Sequence, residues 1–484
     1  MMPVTTINAA TVTSGTSTES QWSLISYLGR LNYNFAEKYF LTASIRADGS
    51  SRFGSNNKWG YFPSASVGWL ASNEDFFKVE SISLLKIRAS YGLTGNFQIP
   101  NYASYDLLSS NNYILGSGNG NLVSGVGISQ PANPDLTWEK TAQFNAGFDL
   151  GLFKDRIYLV GDYYHATTSN LLLNVPVPLS SGFKTALENI GKVENYGVEF
   201  GLITHNLIGA FTWTSNFNIA SNKNNVEQLG PNGAPIISDG GNGTISQMYI
   251  TQIGSPIGSY YGYVNGGVFK DQTDVDNSAH YPTAKPGDRK FLDVSGPSGK
   301  PDGIIDANDR TTIGSYFPNY IWGFINEFTY KHFDLSIALQ AVEGDQIMNL
   351  QRRYLYNSEG NANQMTEDAG YWKSPTDPGN GKAMRANRVA NANSEQISSF
   401  HVEDGSFVRL RNVTVGYTFN QSVFSHIFKT FHIYISGQNI YTWTKYTGYN
   451  PEVNARPDSP LSQGEDYGTY PLAKTFIAGI NLTF

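Results

Sequence analysis

The sequence predicts an all-β fold, an antiparallel transmembrane β-barrel. Three features of the 484-residue chain predict it: apolar residues that alternate with polar ones, connections that are short and long in turn, and an amphipathic last strand. Charged residues make up only 15% of the chain, whereas ordinary soluble domains carry roughly 25%. Aromatic residues reach 14%, which suits many strands that carry aromatic side chains at an interface.

The strand pattern is clearest at 141–150, where alternate positions are apolar: Ala142, Phe144, Ala146, Phe148 and Leu150. The same period of two, which is the period of a β-strand, recurs at 30–35, 40–48, 64–69, 85–94, 157–164, 196–202, 211–219, 335–341, 413–419 and 431–438. A soluble β-sandwich would show the same alternation. The pattern therefore predicts strands but not a membrane.

The lengths of the connections favour a membrane barrel over a soluble sandwich. Short links at 36–38, 154–156 and 331–332 are predicted periplasmic turns, and polar links at about 97–136, 222–318, 344–404 and 444–470 are predicted extracellular loops. If 222–318 is one long extracellular loop, the alternating segments predict roughly thirteen barrel strands over 25–484. Residues 1–24 are predicted to be irregular. The apolar stretch 260–269 then lies inside that excursion. The alternative places it in an extra strand pair.

The last strand carries its own signal. One face of 476–484 is apolar and ends on an aromatic residue, with polar Asn481 and Thr483 on the other face. A final aromatic on an amphipathic strand resembles the signal that the barrel assembly machinery of the outer membrane reads. The predicted assembly signal is Phe476, Ile480, Leu482 and Phe484, and the predicted location is the outer-membrane lipid, as a multi-pass barrel. An ordinary half-buried terminal strand is the alternative.

Composition excludes several classes of function. The net charge is −7 without a Lys/Arg cluster, so we expect no nucleic-acid partner. The absence of cysteine excludes thiolate catalysis and disulfides. The adjacent carboxylates Glu403-Asp404 and Glu465-Asp466 lack the opposed placement that glycoside hydrolysis needs, and no Gly-x-Ser-x-Gly motif occurs. We predict no enzymatic activity and no catalytic residue.

An acidic loop at 293–309 resembles the calcium loop of an EF-hand. With Asp302 at position 5, Gly303 falls at position 6, where the sharp turn of that loop needs glycine. The predicted calcium ligands are Asp293, Asp302, Ile304 (through its carbonyl), Asp306 and Asp309. An insertion at 297–301 breaks the usual spacing, so a solvated Asp/Gly turn is the alternative. Calcium is the one cofactor that the sequence suggests.

Several segments of the sequence resemble motifs of the SusC/RagA family of TonB-dependent outer-membrane transporters from Bacteroidetes. They are 61–69 (YFPSASVGW), 84–96 (LLKIRASYGLTGN), 134–140 (PDLTWEK), 189–199 (NIGKVENYGVE), 309–314 (DRTTIG) and 436–441 (SGQNIY). They lie in the family order, and the resemblance runs from about residue 25 to the end.

The resemblance implies a 22-stranded barrel filled by a plug, a SusD-like surface lipoprotein as a lid, and the TonB complex as the source of energy. This chain would be the C-terminal barrel portion. The start, Met1-Met2-Pro3-Val4, lacks a signal peptide, so we expect 1–24 to contain a truncation point and the TonB contact to lie in the absent N-terminal region.

The implied function is import of a bulky nutrient, a glycan oligosaccharide or a peptide. Alternatives are a siderophore or cobalamin receptor, a non-functional truncated remnant, and a soluble carbohydrate-binding β protein. The sequence does not identify the substrate-binding residues. We expect them at lumen positions such as Arg46 or Asp149 and on extracellular loops, where aromatic side chains could stack on sugars: Tyr354, Tyr356, Tyr371 and Trp372.

Overall fold

The computed structural model describes residues 19–116, 120–183, 185–230, 232–356, 363–386, 396–419 and 429–483. Phe484 of the predicted assembly signal and residues 1–18 lie outside this set. The helices in it are short: α1 (Gln272–Asp276), α2 (Gln351–Leu355) and 3-10 turns at Ala71–Asn73, Leu179–Ser181, Gly241–Gly243, Ala307–Asp309, Thr366–Gly370 and Ser399–His401. None of the helices in the described ranges is long and apolar enough to cross a membrane.

Most of the described chain is β-structure. The strands, in chain order, are β1 (Leu24–Phe35), β2 (Tyr39–Ser50), β3 (Trp59–Leu70), β4 (Ile82–Asn96), β5 (Leu107–Leu115), β6 (Asn121–Gln130), β7 (Glu139–Leu152), β8 (Ile157–Pro176), β9 (Thr185–Leu207), β10 (Phe211–Gln228), β11 (Ile236–Gly240), β12 (Ile245–Thr251), β13 (Ser259–Gly262), β14 (Asn265–Val268), β15 (Arg289–Phe291), β16 (Thr311–Gly314), β17 (Tyr320–Tyr330), β18 (Phe333–Glu343), β19 (Gln346–Asn349), β20 (Val402–Asp404), β21 (Phe407–Thr418), β22 (Thr430–Thr444), β23 (Glu465–Asp466) and β24 (Thr475–Thr483).

Thirteen of these strands form one large antiparallel sheet, which we call the wall. Its order is β1-β2-β3-β4-β7-β8-β9-β10-β17-β18-β21-β22-β24, so each strand pairs with the next wall strand along the chain. This up-and-down order confirms the predicted antiparallel barrel architecture and the strand count of roughly thirteen. Within the described residues, β1 and β24 lie at the two ends of the sheet.

The wall has one apolar and one polar face, as the alternation predicts. On β2, Leu41 and Ile45 belong to the apolar face, and Thr42 and Ser44 to the polar face. Cross-strand partners keep the same assignment, because directly opposed side chains in an antiparallel pair lie on one side of the sheet. Ser44, for example, stands opposite Ser64 of β3, and their hydroxyl oxygens lie 2.7 Å apart. In a barrel of this kind the apolar face contacts lipid and the polar face lines the lumen.

One end of the wall has tight turns at 36–38, 153–156, 208–210 and 331–332. Ala36 and Glu37 are both in the left-handed region, with φ of 54° and 55°, and Lys38 N donates to Phe35 O at 3.0 Å. Positive φ at both central positions matches the right-handed twist of the two flanking strands. In the turn 331–332, Lys331 also lies in the left-handed region, with φ of 53°. These turns agree with the three short links predicted as periplasmic.

The last strand, β24, pairs with β22 in the register Phe476 with Gly437, Ile480 with Ile433 and Leu482 with Phe431. The side chains of Phe476, Ile480 and Leu482 share the apolar face and are exposed. This placement is compatible with a lipid-facing terminal strand. Recognition of these residues by the barrel assembly machinery stays a prediction.

Long connections leave the opposite end of the wall, at 97–138, 229–319, 344–406 and 445–474. Their bounds differ from the predicted ones where strands continue beyond the alternating pattern. β10 runs to Gln228 because it stays paired with β9, and β8 and β9 pair up to Pro176 and Thr185. The apolar stretch 260–269 lies in β13 and β14, which belong to small sheets outside the wall. It is therefore part of the excursion and not an extra wall pair.

Connection 97–138 shares a small core with neighbouring residues at the rim of the wall. The cluster contains Phe53, Phe62, Ile99, Ala103, Leu136 and Trp138. Trp138 Nε1 donates to Lys58 O at 3.2 Å, so the one polar atom of this buried indole has a partner. The cluster fixes both ends of the connection against β2 and β3.

We predict that Leu136→Ala destabilises the rim of the wall, because Leu136 is 0% exposed. Replacing a buried leucine by alanine typically costs about 2–5 kcal/mol. The temperature at which the folded band converts to the unfolded band in SDS gels should fall. Leu108→Ala is the matched control, since Leu108 lies in the same connection but is 69% exposed. An equal shift in both variants would contradict the assignment of this core.

Candidate functional site: the lumen face and the loop layer

The lumen face carries charged side chains that neutralise one another. Arg88 on β4 lies between two aspartates, with Nη2 2.6 Å from Asp162 and Nε 3.5 Å from Asp149. Arg46 on β2 pairs with Asp48 at 2.7 Å. The two predicted lumen positions, Arg46 and Asp149, therefore lie on the polar face, and both are held in ion pairs.

Between these pairs the lumen face is lined by hydroxyls and amides. Asn145 Nδ2 donates to Ser90 Oγ at 3.1 Å, and a shallow cleft of about 320 Å³ opens beside them. The cleft is also bordered by Phe40, Thr42, Ser66, Lys86 and Arg88. The cleft thus combines neutral hydrogen-bond donors and acceptors with the cationic side chains of Lys86 and Arg88.

The three connections 229–319, 344–406 and 445–474 pack together, and we call them the loop layer. One buried cluster takes residues from the first two: Ile245, Met248, Tyr249, Tyr260, Met348, Leu350 and Ile397. The third connection supplies β23, which pairs with β19. Three separate loops therefore share one folded unit above the wall.

Carboxylates buried in the loop layer hold its parts together. Glu465 is fully buried, and its Oε2 accepts from Tyr249 Oη and from Gly241 N, each at 3.0 Å. Asp466 accepts from Tyr446 Oη at 2.7 Å. Burial raises the pKa of Tyr249 and of Tyr446, so both phenols keep the proton that they donate.

Glu403, from the second adjacent pair of carboxylates, has the same role. Glu403 Oε1 accepts from Asn349 Nδ2 at 2.7 Å, and its Oε2 accepts from Thr447 N at 2.9 Å. Asp404 accepts from Ser406 N at 3.0 Å. Glu403 thus joins the second connection to the third, as Glu465 joins the third to the first.

Arg409 attaches the loop layer to the wall. It lies on the lumen face of β21 and is 1% exposed. Its guanidinium donates to Asn450 Oδ1 at 2.8 Å and to Thr442 Oγ1 at 2.9 Å, and it forms an ion pair with Glu452. Gln340 Nε2 donates to the other Glu452 oxygen at 2.9 Å. Because Asn450 and Glu452 belong to connection 445–474, this loop is held over the lumen.

The acidic loop at 293–309 is folded around its carboxylates. Asp309 is fully buried, and Oδ1 accepts from Val294 N at 2.9 Å and from Ser295 N at 3.2 Å. Its Oδ2 accepts from Asp306 N at 2.9 Å. Asp306 in turn caps a short 3-10 helix by accepting from Asn308 N at 2.7 Å. These two predicted calcium ligands are engaged with backbone amides.

Two further predicted ligands, Asp293 and Asp302, also accept backbone hydrogen bonds. Asp293 Oδ2 accepts from Gly303 N at 2.6 Å, and Asp302 Oδ1 accepts from Ile304 N at 3.0 Å. The other oxygen of Asp293 is buried without a hydrogen-bond partner among the described residues. Across the described parts of the chain, no group of three or more His, Asp or Glu side chains is arranged to hold a metal ion. The structure does not gather the five predicted ligands, and calcium binding stays a prediction.

The loop aromatics are only partly available for stacking on a ligand. Tyr356 is buried, and its hydroxyl donates to Glu367 at 2.6 Å. Trp372 Nε1 donates to Lys270 O at 2.8 Å. Tyr354 is exposed and forms an edge-to-face pair with Tyr467, with the two hydroxyl oxygens 3.1 Å apart. Tyr467 therefore joins Tyr354 as an exposed aromatic of the loop layer.

Comparisons with known proteins agree with this architecture. A family model described as "TonB dependent receptor-like, beta-barrel" matches residues 2–440. The chain belongs to this family. TonB-dependent receptor P3 of Formosa agariphila is 37% identical over 475 residues, covering 96% of this chain and 46% of the relative. TonB-dependent receptor SusC of Bacteroides thetaiotaomicron is 29% identical, covering 96% and 44%.

Solved structures extend the comparison of this TonB-dependent receptor barrel. The RagAB peptide importer in its open-open state matches with a TM-score of 0.79 at 26% identity, over 96% of this chain and 47% of that chain. The SusC/RagA resemblance, the barrel fold and the outer-membrane location are confirmed, and a soluble carbohydrate-binding protein is excluded. The chain spans about half the length of the curated relatives that it matches.

Arg409 and Glu452 are site residues of this receptor barrel that no sequence pattern indicates. They are separated by a β-strand and part of a loop, and neither lies in a recognisable motif. Arg88 does occupy a polar position in the predicted strand 85–94. Its two partners, however, are on different strands, so only the register of β4, β7 and β8 brings them together.

We predict that Arg409→Met releases connection 445–474, because it removes the charge that pairs with Glu452. Breaking such a pair, with one partner partly exposed, should cost about 2–3 kcal/mol of local stability. Amide hydrogen exchange over 446–458 should accelerate while the wall stays protected. Arg30→Met is the control, since Arg30 lies on the same face, is exposed and donates to Asn32. Unchanged exchange in Arg409→Met would contradict the anchoring role.

We also predict a pH dependence in the loop layer. Burial, together with the charge of Asp404, raises the pKa of Asp345 to about 6. The folded state then holds a proton that the unfolded state releases near 3.8, so the stabilisation is complete below pH 4 and is lost as the pH rises through 6. After allowance for solvent screening, the loss is about 1–2 kcal/mol.

Hydrogen exchange of 344–349, corrected for intrinsic rates, should therefore be slower at pH 4.5 than at pH 7.5. Asp345→Asn should remove most of this difference. Asp377→Asn is the control, because Asp377 lies in the same connection and is exposed beside Lys373. A pH effect that persists in Asp345→Asn would show that another group causes it.

Proposed function

We propose that this chain forms the wall and the extracellular loop layer of a transporter that imports a bulky polar nutrient across the outer membrane. An oligosaccharide is the favoured substrate and a peptide is the alternative. The observation that supports an oligosaccharide is the lumen face, where Arg46 and Arg88 are paired with aspartates and hydroxyls and amides lie between them. Such a surface matches the hydroxyl groups of a neutral sugar.

The proposed mechanism is conformational and involves no covalent step. Ligand would be captured at the loop layer beneath a SusD-like surface lipoprotein, and the TonB complex would supply the energy through a part of the protein other than this barrel wall. Arg409 and Glu452 would keep connection 445–474 in position over the lumen during capture. The peptide alternative is supported by the similarity to the RagAB peptide importer, at 26% identity.

Uptake measured in the native host tests the proposal. Cells that produce the wild-type protein should take up a labelled oligosaccharide pool, and the uptake should be lost in a strain without TonB. Labelled peptides and ferric siderophores are assayed in parallel. Peptide uptake alone would select the alternative substrate, and siderophore uptake alone would contradict the proposal. Absence of TonB-dependent uptake of any pool would indicate a non-functional remnant.

A lumen variant tests the role of the polar face. Asn145→Leu removes an amide from the lumen cleft, and it should weaken oligosaccharide binding about tenfold, which corresponds to about 1.4 kcal/mol. Phe144→Leu is the matched control, because this neighbour lies on the apolar face of the same strand. Binding to the purified protein in detergent is measured by calorimetry. Equal affinities of the two variants would exclude this part of the lumen from the binding site.

Calcium binding by the acidic loop is a separate proposal. It is supported by the buried Asp293 Oδ1, which lacks a hydrogen-bond partner among the described residues. Millimolar calcium, the range of extracellular modules, should slow hydrogen exchange over 293–309. Asp293→Asn should abolish this effect, and Asp276→Asn on α1 should not. Exchange that is insensitive to calcium in the wild type would leave the loop as a hydrogen-bonded turn.

A further inference from the structure

The connection between β3 and β4, residues 71–81, is an exposed segment that the transport function does not use. We call it the rim segment. Because wall strands alternate in direction, it lies at the same end of the wall as the tight turns 36–38 and 153–156, but it is longer than they are. Phe76 in this segment is 71% exposed and Val79 is 48% exposed. Large apolar side chains on a periplasmic connection call for an explanation.

Glu74 fixes the rim segment to the wall. Its Oε1 accepts hydrogen bonds from Tyr39 Oη at 2.5 Å and from Trp69 Nε1 at 3.0 Å. Its Oε2 forms an ion pair with Lys38 Nζ at 3.2 Å. The Glu74 side chain is only 11% exposed, so these three donors surround the carboxylate.

The two aromatic partners of Glu74 place the rim segment on the lipid-facing side. Tyr39 stands opposite Trp69, and Leu41 stands opposite Val67, so all four belong to the apolar face of the wall. Tyrosine and tryptophan at the end of the apolar band are typical of the interface between membrane and water. The rim segment therefore continues the lipid-facing surface at its periplasmic edge.

The exposed aromatic residue lies in a turn. Phe77 N donates to Glu74 O at 2.9 Å, which closes a turn with Asp75 and Phe76 at its centre. The central residues of such a turn are the ones farthest from its base. Phe76 is thus presented by backbone that Glu74 anchors.

A second exposed aromatic residue lies beside the far end of the rim segment. Phe153, from the neighbouring tight turn, donates its backbone N–H to Ser81 O at 2.8 Å, and Phe153 is 56% exposed. Phe76, Val79 and Phe153 therefore lie along the same edge of the wall. The exposed apolar surface is a series of side chains and not a single residue.

The charges near the turn match a zwitterionic headgroup. Lys78 is exposed and has no ion-pair partner in the part of the chain that the structure describes. The side chain of Asp75 is fully exposed, 3.7 Å from Lys38 Nζ. Three carboxylates, those of Glu74, Asp75 and Glu80, accompany the two amines of Lys38 and Lys78. This surplus of negative charge disfavours an anionic lipid, whereas a lipid ammonium group would offset it.

Water and a plug fit these observations less well than lipid does. In water, Phe76 would keep its apolar surface exposed, although the acyl chains that favour such surface are adjacent. A plug would lie in the lumen, on the polar side of the wall, whereas Glu74 holds the rim segment to the apolar side. The surface that the rim segment continues is the one that contacts lipid.

We propose that the rim segment is a lipid-binding element that inserts Phe76 into the periplasmic leaflet of the outer membrane. The lipid that it binds is an aminophospholipid, with the ammonium group at Asp75 and the phosphate at Lys78. Opposite charges on headgroup and protein then pair at the level where the apolar band ends. The element fixes the depth of this part of the wall in the bilayer, and it does not depend on which substrate is imported.

Cysteine labelling tests the insertion, because this chain contains no cysteine. Phe76→Cys is labelled with a nitrobenzoxadiazole fluorophore in the whole protein, reconstituted in phosphatidylethanolamine vesicles that contain nitroxide-bearing lipids. Val67→Cys on the lipid-facing side is the positive control, and Glu37→Cys in the exposed turn 36–38 is the aqueous control.

Quenching by the nitroxide lipids at position 76 should match that at position 67 and exceed that at position 37 at least threefold. Quenching no greater than that at position 37 would overturn the insertion. A fluorophore at position 76 that is shielded from both the lipid quencher and a water-soluble quencher would also overturn it, because protein would then cover the turn.

A titration with two lipids tests the recognition of the headgroup. Phosphatidylethanolamine and phosphatidylglycerol are added separately to the delipidated protein in detergent, and bound lipid is counted by native mass spectrometry. Phosphatidylethanolamine should bind at least fivefold more tightly. Asp75→Asn with Lys78→Gln should remove this preference, whereas Lys154→Gln in the neighbouring turn should keep it.

Equal binding of the two lipids by the wild type, or a preference that persists in the double variant, would overturn the headgroup assignment. Heat modifiability of each variant in SDS gels verifies that its barrel is folded. Neither measurement involves an imported substrate, so failure here is distinct from failure of the proposed function.

Discussion

Backbone hydrogen bonding in a medium without water is the constraint on which this structure depends. Each wall strand pairs with the next wall strand along the chain, from β1, which starts at Leu24, to β24, which ends at Thr483. Pairing between neighbouring strands provides hydrogen-bond partners for the backbone N–H and C=O groups. Because successive side chains of a strand point to opposite faces of the sheet, one side chain then faces lipid and the next faces the lumen. Separation of apolar from polar residues, and with it the hydrogen-bonding lumen surface, follows from this one requirement.

Above the wall the solvent is water, and a different kind of organisation takes over. The loop layer is held by a buried apolar cluster and by carboxylates that accept hydrogen bonds from neighbouring loops, such as Glu403 from Thr447 and Glu465 from Tyr249. Buried charges of this type stabilise only when their donors are in place. The loops are therefore ordered by one another, and Arg409 connects this assembly to the barrel.

The wall was predictable because its determinants are local. Alternation at 40–48 or 141–150 and the short link at 331–332 are visible in a few consecutive residues. The ion pair of Arg409 with Glu452, by contrast, depends on two residues that are 43 positions apart in the sequence. In the acidic loop the residue types suit calcium, and Asp306 and Asp309 also accept hydrogen bonds from backbone amides of the same loop, a role that motif spacing does not indicate.

The shared cluster of the loop layer restricts how its three connections can vary over evolutionary time. A new version of one connection would have to remain compatible with Met248 from the first loop, Met348 from the second and Glu465 from the third. Recombination that exchanges a single loop would therefore tend to fail, and inheritance of all three as a block would succeed.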